Sequence, residues 1–384
     1  MRQNPLFPPA EEPPNNHLET GIVLAEAGNY EGALENFNRE LAKNPHNELA
    51  YYNKGLVLLM TGSFREALAS LALALEIAPD FRQALVAKGL AHARLGEQRD
   101  SVKCYDQALS IQIDSETIYQ KGLSHYHMGR YREALDLLRH AEELSPKDRR
   151  IPHAEARVYW AMNEPREAAL ALQRCLKIDP NYQEARLTYA VLLSRMGYEI
   201  EALEEYDKLL AGSPEHMGGL LGKGGSALRL GLFQEALDAF RTVLAERPKE
   251  VSAWLGSARA LEELGLFRDS LAAYDEAVTL SPEDPEIRMR RSSLKEQMND
   301  SVGALEDLNA IYKTRPSTEI CLMLARLHGH LGEKPALLEW VEKALKIDTK
   351  TADIILADDY LSTFINRAWL ENKIRAINLA KEGK

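Results

Sequence analysis

The chain has 384 residues, 45% hydrophobic and 27% charged, with 23 Gly and 17 Pro, which excludes wholesale disorder, a collagen-like polymer and low-complexity sequence. Its formal charge of −11 offers no general attraction to nucleic acid or to an anionic membrane, and no run of about 18 apolar residues marks a membrane-spanning helix. The cysteines Cys104, Cys175 and Cys321 form no C-x-x-C pair and fit a reducing compartment better than a disulfide or zinc framework.

Residues 1–13 are Pro-rich, carry no apolar signal core and are expected to be disordered. With no export signal, the cytoplasm is the expected location. From residue 14 a 34-residue period sets in, clearest as G-x-[YF]-x-x-A-L at Gly28, Gly62, Gly129 and Gly231. Ten repeats follow, starting at Pro14, Glu48, Arg82, Ser115, Arg149, Gln183, Met217, Val251, Pro285 and Thr318, and they run to residue 351.

Each recurring column has a physical reason. Position 8 is Gly, Ala or Ser in every repeat, from Gly21 to Ala325, and position 20 is Ala or Ser in all but the last, where Leu337 stands. Small residues at these two places let a pair of helix backbones approach closely. Position 15 is Gly or Asn throughout, including Asn163 and Asn299, the residues that accept a left-handed backbone, so the first helix of each pair should end there. Position 32 is proline in most repeats, from Pro45 to Pro316, and should end the second helix. Between these marks the apolar residues recur at helical spacing, as in Ala67, Leu68, Leu71, Ala74 and Leu75. Two amphipathic helices of about 13 residues per repeat are too short to stand alone in water, so neighbours must stack into one core. Residues 352–384 keep the helical spacing, with Ile354, Leu361, Trp369 and Ile377, but lose the small columns. A degenerate final pair is expected there, serving as a cap or as a docking segment for a partner.

These columns resemble the tetratricopeptide repeat family over about nine tenths of the chain. The resemblance implies an all-α fold, a right-handed superhelical solenoid of ten helix-turn-helix units over 14–351, with first helices lining a concave groove for peptides or partner domains.

Sites for chemistry are not evident. The run from Gly218 to Ser226 superficially looks like a phosphate loop, but Lys223 is followed by Gly224 where Ser or Thr is needed. Gly224 has a simpler role in the small column, and it is the only glycine of this run that the column requires. His92 and His125 fall at a core position of their repeats, His125 and His127 lack the i, i+4 spacing of a helical metal site and point to different faces, and His127 and His153 are the pair left to share the groove. No cofactor or metal is expected, and a non-catalytic protein is the expectation. The acidic balance and the 34-residue register weigh against an RNA-binding helical repeat.

The resemblance assigns positions 2, 5, 9, 12 and 13 of each first helix to the groove. The family's carboxylate clamp for chaperone tails is matched at Asn53 alone, since Leu18, Ile22, Gln83 and Ala87 stand where its Lys, Asn, Lys and Arg residues would be. Instead Tyr52, Leu56, Leu90, Tyr119, Leu123 and Tyr126 make an apolar and aromatic stripe, which either packs between neighbouring first helices or awaits a ligand. Trp160 adds a residue type common at binding hot spots. Arg157, Arg195 and Arg229 make the central repeats locally positive, a pattern suited to gripping carboxylates or to plain solvated surface. The expected function is a protein-interaction scaffold whose groove binds a peptide or helix, apolar toward the first four repeats and acidic toward the fifth to seventh. The alternative is a targeting or regulatory subunit that acts through its C-terminal helices.

Overall fold

The computed structural model describes residues 16–382, so the expected disorder of residues 1–13 lies outside it. By contacts the chain divides into two compact halves, Met1–Leu192 and Leu193–Lys384. The described residues of the first half form α1 (His17–Glu26), α2 (Tyr30–Lys43), α3 (Glu48–Met60), α4 (Phe64–Ile77), α5 (Arg82–Arg94), α6 (Gln98–Ile111), α7 (Ser115–His127), α8 (Tyr131–Leu144), α9 (Arg150–Ala161), α10 (Pro165–Ile178) and most of α11 (Gln183–Arg195). The second continues with α12 (Glu199–Gly212), α13 (Met217–Arg229), α14 (Phe233–Glu246), α15 (Val251–Glu263), α16 (Phe267–Leu280), α17 (Pro285–Gln297), α18 (Ser301–Thr314), α19 (Thr318–His330) and α20 (Lys334–Ile347), then α21 (Thr351–Ala357), α22 (Leu361–Phe364) and α23 (Arg367–Glu382). Each half is a stack of helix-turn-helix repeats.

The turns follow from the Gly/Asn column. Every position-15 residue, Asn163 (φ 60°) and Asn299 (φ 63°) included, has positive φ, and no other described residue does. The turn after α3 shows the consequence: Gly62 N–H donates to Leu59 O (3.2 Å) and Ser63 N–H to Leu58 O (2.8 Å). This paired arrangement satisfies carbonyls that the helix end would otherwise leave unpaired. Two of the second helices begin on side-chain caps, α2 where Asn29 Oδ1 accepts from Gly32 N–H at 3.0 Å and α18 where Asp300 Oδ1 accepts from Gly303 N–H at 2.9 Å. They end one or two residues before the position-32 proline.

Packing within a repeat turns on position 24. Phe37, Leu71, Tyr105, Leu138, Leu172, Phe240 and Tyr274 stand there, all buried. Where position 8 of the same repeat is glycine, this side chain reaches toward it: a Cβ added to Gly21 would lie 2.5 Å from the Phe37 ring, and one added to Gly89 would lie 2.5 Å from Tyr105. The same ring also presses on the next repeat. Phe240 would meet a Cβ on Gly224 at 2.6 Å and a Cβ on Gly256, two positions earlier in the following repeat, at 2.3 Å. Tyr206 likewise fills the space beside Gly222, where an added Cβ would lie 2.3 Å from the ring. Gly222 is therefore sterically required, which corrects the expectation that only Gly224 of that run is needed. Buried serines in the small columns are satisfied locally, as Ser270 Oγ donates to Ala258 O at 2.8 Å.

At five of the junctions a polar contact links successive repeats from position 25 of one to position 7 of the next. Lys54 Nζ donates to Asn38 Oδ1 at 2.8 Å. Lys121 pairs with Asp106 at 2.6 Å, Lys223 with Asp207 at 2.7 Å and Arg291 with Asp275 at 2.7 Å. Gln173 donates to Tyr189 Oη at 2.6 Å. Between the fourth and fifth repeats the charges are exchanged: Arg139 stands at position 25 and Glu155 at position 7. The Glu155 carboxylate is buried and is held by Arg174. Burial pushes its carboxyl above the ordinary value, against the opposing pull of Arg174 and Arg139. In the ninth repeat, Asp307, 1% exposed, accepts from Arg291 (2.9 Å), Lys295 (3.0 Å) and Arg288 (3.3 Å). Burial alone would raise it, but Arg291 and Lys295 hold it below the usual carboxylate range.

The C-terminal segment departs from two clean helices. The first is interrupted after Ala357, where Asp358 Oδ1 accepts from Tyr360 and Leu361 N–H at 3.0 and 2.8 Å and starts a new short turn. Ile355, Leu361, Ile365, Leu370 and Ile377 nevertheless enter one core with Leu337, Val341 and Leu345 of α20.

Two outcomes follow for stability. Gly225 has only Arg229 side-chain nitrogens within 4 Å of an added Cβ, the nearer at 3.8 Å, so Gly225→Ala should stabilise by about 0.5–1 kcal/mol through helix propensity. Gly222→Ala should instead cost about 1–3 kcal/mol by overpacking Tyr206, and chemical denaturation of the two variants checks the opposite signs. The second outcome concerns pH. His125 is buried with neither ring nitrogen hydrogen-bonded, and burial, then Lys121 and Arg130, lowers its pKa below the ordinary 6.5 while Glu133 and Asp106 oppose. A depressed folded pKa means that the unfolded chain binds the proton first, so stability falls as pH drops from 7 through about 6.5 toward 5. Urea titrations at pH 7 and pH 5 should show that loss, and His125→Leu should reduce it.

Candidate functional site

In the first half, the faces of α3, α5 and α7 enclose a trough of about 740 Å³. Its floor and walls are apolar, from Leu56, Leu59, Met60, Val86, Ala87 and Leu90 with Tyr52 and Phe64, and its rim carries Arg82, Gln83, Arg94, Asp114 and Glu116. The helical repeat places these side chains together: Gln83, Val86, Leu90 and Arg94 follow one another at spacings of three and four on α5 and so share one face.

The expected stripe is found half in the core and half in this trough. Leu56 is only 3% exposed and belongs to the cluster of Phe37, Val57, Leu71 and Ala84. This corrects its expected role as a freely presented side chain: it forms the trough floor from within the core. Tyr52 is half-buried, its ring centroid 4.9 Å from that of Phe81, and burial raises its phenol pKa. Leu90 is partly exposed on the trough wall. Tyr119, Leu123 and Tyr126 do not line the trough; they pack partly buried against the core of Ile118, Leu138 and Val158.

Arginines overlie two of these rings. The Arg150 guanidinium lies 5.2 Å from the Tyr119 centroid and pairs with Glu116 and Asp148, each at 2.6 Å. Arg157 is exposed and lies 5.1 Å from the Tyr126 centroid, a cation–π placement. Trp160 is 42% exposed on the same helix as Arg157. His127 is exposed beside Tyr126, whereas His153 is buried with Nδ1 3.3 Å from Tyr182 Oη; burial lowers the pKa of both, and Arg157 adds to the effect.

The remaining expected residues lie in the second half. Arg195 is exposed at the end of α11. Arg229 is engaged already: Nη2 donates to Glu199 Oε2 at 3.1 Å, Nε donates to the other oxygen of that carboxylate, and Ser194 Oγ accepts a further bond. This corrects its expected place in a ligand-facing row, because an incoming carboxylate would have to displace Glu199. Lys223 is held by Asp207 and Glu235 at 2.7 and 2.9 Å, a structural role for the residue that gave the glycine run its phosphate-loop look. Cys104, Cys175 and Cys321 are all buried, and burial raises each thiol pKa, with Cys175 pushed up to about 11. Such thiols are poor nucleophiles. No described helix is long and apolar enough to cross a membrane.

Sequence columns missed the Arg82–Asp114 pair (2.7 Å), which spans the trough rim from position 1 of one repeat to the residue just before the next. The only signal was an acid at the N-cap of α7, where Asp114 Oδ1 accepts from Thr117 N–H at 3.0 Å.

Comparisons with known proteins agree with this architecture. Models of the tetratricopeptide repeat match residues 18–81, 83–112, 115–148 and 153–182, and in overlapping windows 200–250, 221–285 and 255–319. The human protein O-mannosyl-transferase TMTC1 is 27% identical over 121 residues, 32% of this chain and 14% of that protein. The bovine BBSome complex member BBS4 is 23% identical over 200 residues, 51% of this chain and 38% of that protein. The chain thus spans well under half the length of these curated relatives. Among solved structures, the C-terminal part of a TPR repeat-containing protein from Cytophaga hutchinsonii has a TM-score of 0.52 at 16% identity, covering 62% of this chain and 98% of that one. A tetratricopeptide repeat protein from Parabacteroides merdae has a TM-score of 0.49 at 19% identity, covering 68% and 98%. Repeats of this kind generally serve as protein-interaction scaffolds, and with its helix pairs, its left-handed turn residues and model matches along most of its length, the chain belongs to the tetratricopeptide repeat family.

Proposed function

We propose that the chain is a non-catalytic scaffold whose first-helix face in the N-terminal half holds an extended peptide or a helix of another protein. The observation that carries this reading is the α3/α5/α7 trough, whose apolar floor is larger than any single side chain and is open to solvent. An apolar concavity with a few polar groups at its rim is the usual form of a binding site. The neighbouring Arg157, Tyr126 and Trp160 extend the face with groups common at binding hot spots. The name of BBS4, a complex member, accords with partner binding by a relative.

A targeting or regulatory role through the C-terminal helices draws less support, because Ile355, Leu361, Leu370 and Ile377 of α21–α23 are already buried in one core with α19 and α20, which leaves Ile354 and Leu379 exposed. In the full chain, Val86→Glu combined with Leu90→Glu should abolish recovery of partners by affinity purification and mass spectrometry. Leu379→Glu, at an exposed position of α23, should leave recovery intact. Partners retained by the trough variant and lost by the α23 variant would transfer the function to the C-terminal helices.

A further inference from the structure

We infer that the trough selects a segment in which bulky apolar side chains are followed, three or four residues further along an extended chain, by a side-chain carboxylate that pairs with Arg94. This rests on the groove reading above and adds the chemistry of the occupant.

Charge at the rim carries the inference. Arg82 is neutralised by Asp114 at 2.7 Å, and Glu116 by Arg150 at 2.6 Å. Of the charged groups lining the trough, Arg94 alone is exposed and has no ion pair among the described residues. A cation bound here would have to break an existing pair, whereas an anion meets an unused guanidinium whose fork geometry suits a carboxylate. The unpaired group is therefore complementary to one negative charge.

Spacing comes from α5 itself. Val86, Leu90 and Arg94 stand one helical turn apart on the same face, so at about 1.5 Å rise per residue Arg94 lies about 12 Å along the axis from Val86. An extended ligand advances about 3.3 Å per residue, which separates its apolar anchor from its carboxylate by three or four residues. The volume of about 740 Å³ accommodates more than one bulky side chain. The walls are helix interiors whose backbone N–H groups are engaged within the helix, so nothing there forms the backbone nest that captures a chain terminus. A side-chain carboxylate fits better than a C-terminal one.

The test uses two fluorescein-labelled, C-terminally amidated dodecapeptides, one carrying Leu-Phe followed four residues later by Glu-Glu, the other with Gln-Gln in their place. Each is titrated into the full chain and followed by anisotropy. The Glu peptide should bind about tenfold more tightly than the Gln peptide, the scale of a charge-assisted contact, and the advantage should shrink between low and high salt. Arg94→Ala should remove that advantage and leave the Gln peptide unchanged, while Val86→Glu should weaken both. Equal binding of the two peptides, an equal effect of Arg94→Ala on both, or no binding of the Glu peptide overturns the inference. If those results appear while partner recovery still depends on Val86 and Leu90, the groove reading survives and only the carboxylate preference falls. Partner recovery indifferent to Val86 and Leu90 removes the groove reading itself.

Discussion

A large side chain at position 24, pressed into the small residue at position 8 of its own repeat, is the contact on which everything else rests. Where the next repeat also offers a glycine, as at Gly256, the same ring is clamped from both sides. One side chain then closes a helix pair and seats the following pair. The spacing of first helices, and with it the existence of an apolar trough between α3 and α7, depends on how deeply that ring sits. Overpacking in such a contact has no free volume to absorb it, since close-packed interiors transmit displacement instead of yielding.

What was legible in the sequence was whatever each repeat determines by itself. Gly or Asn at position 15 requires a left-handed backbone whatever surrounds it, and all of those residues adopt one. The prolines and the small columns are equally local, so the helix ends and the pairing followed from spacing alone. Between repeats the sequence is less informative. Leu56 occupies a nominal groove position yet is drawn into the core by Phe37 and Leu71, and Arg229 is captured by Glu199 from the preceding second helix. Gly222 owes its identity to Tyr206 in another helix. In each case the deciding atom belongs to a residue at least one helix away, and column spacing does not say how far a neighbouring side chain reaches.

The candidate site is a by-product of the same packing. First helices present one face to their second-helix partners and leave a narrower face between them. That face cannot be wholly polar, because Tyr52, Leu59 and Met60 also stabilise the core from their buried sides. Each such side chain is thus shared between the stack and any occupant, so a ligand in the trough would lean on groups already fixed in place. Little ordering would remain for binding to impose, and preorganisation of that kind favours affinity.

The position-25 to position-7 contacts give the array an order. Four junctions place an acid or amide before a cation, but the junction between the fourth and fifth repeats reverses the signs, with Arg139 facing the buried Glu155. Excising the fourth repeat would bring Asp106 of the third opposite Glu155 of the fifth, setting two carboxylates face to face, one of them in the interior. Repeats that look interchangeable by their columns are therefore not interchangeable as parts. Recombination between copies, which readily lengthens or shortens such arrays, would meet a chemical checkpoint at this junction, and the charge inversion acts as a serial number stamped into the stack.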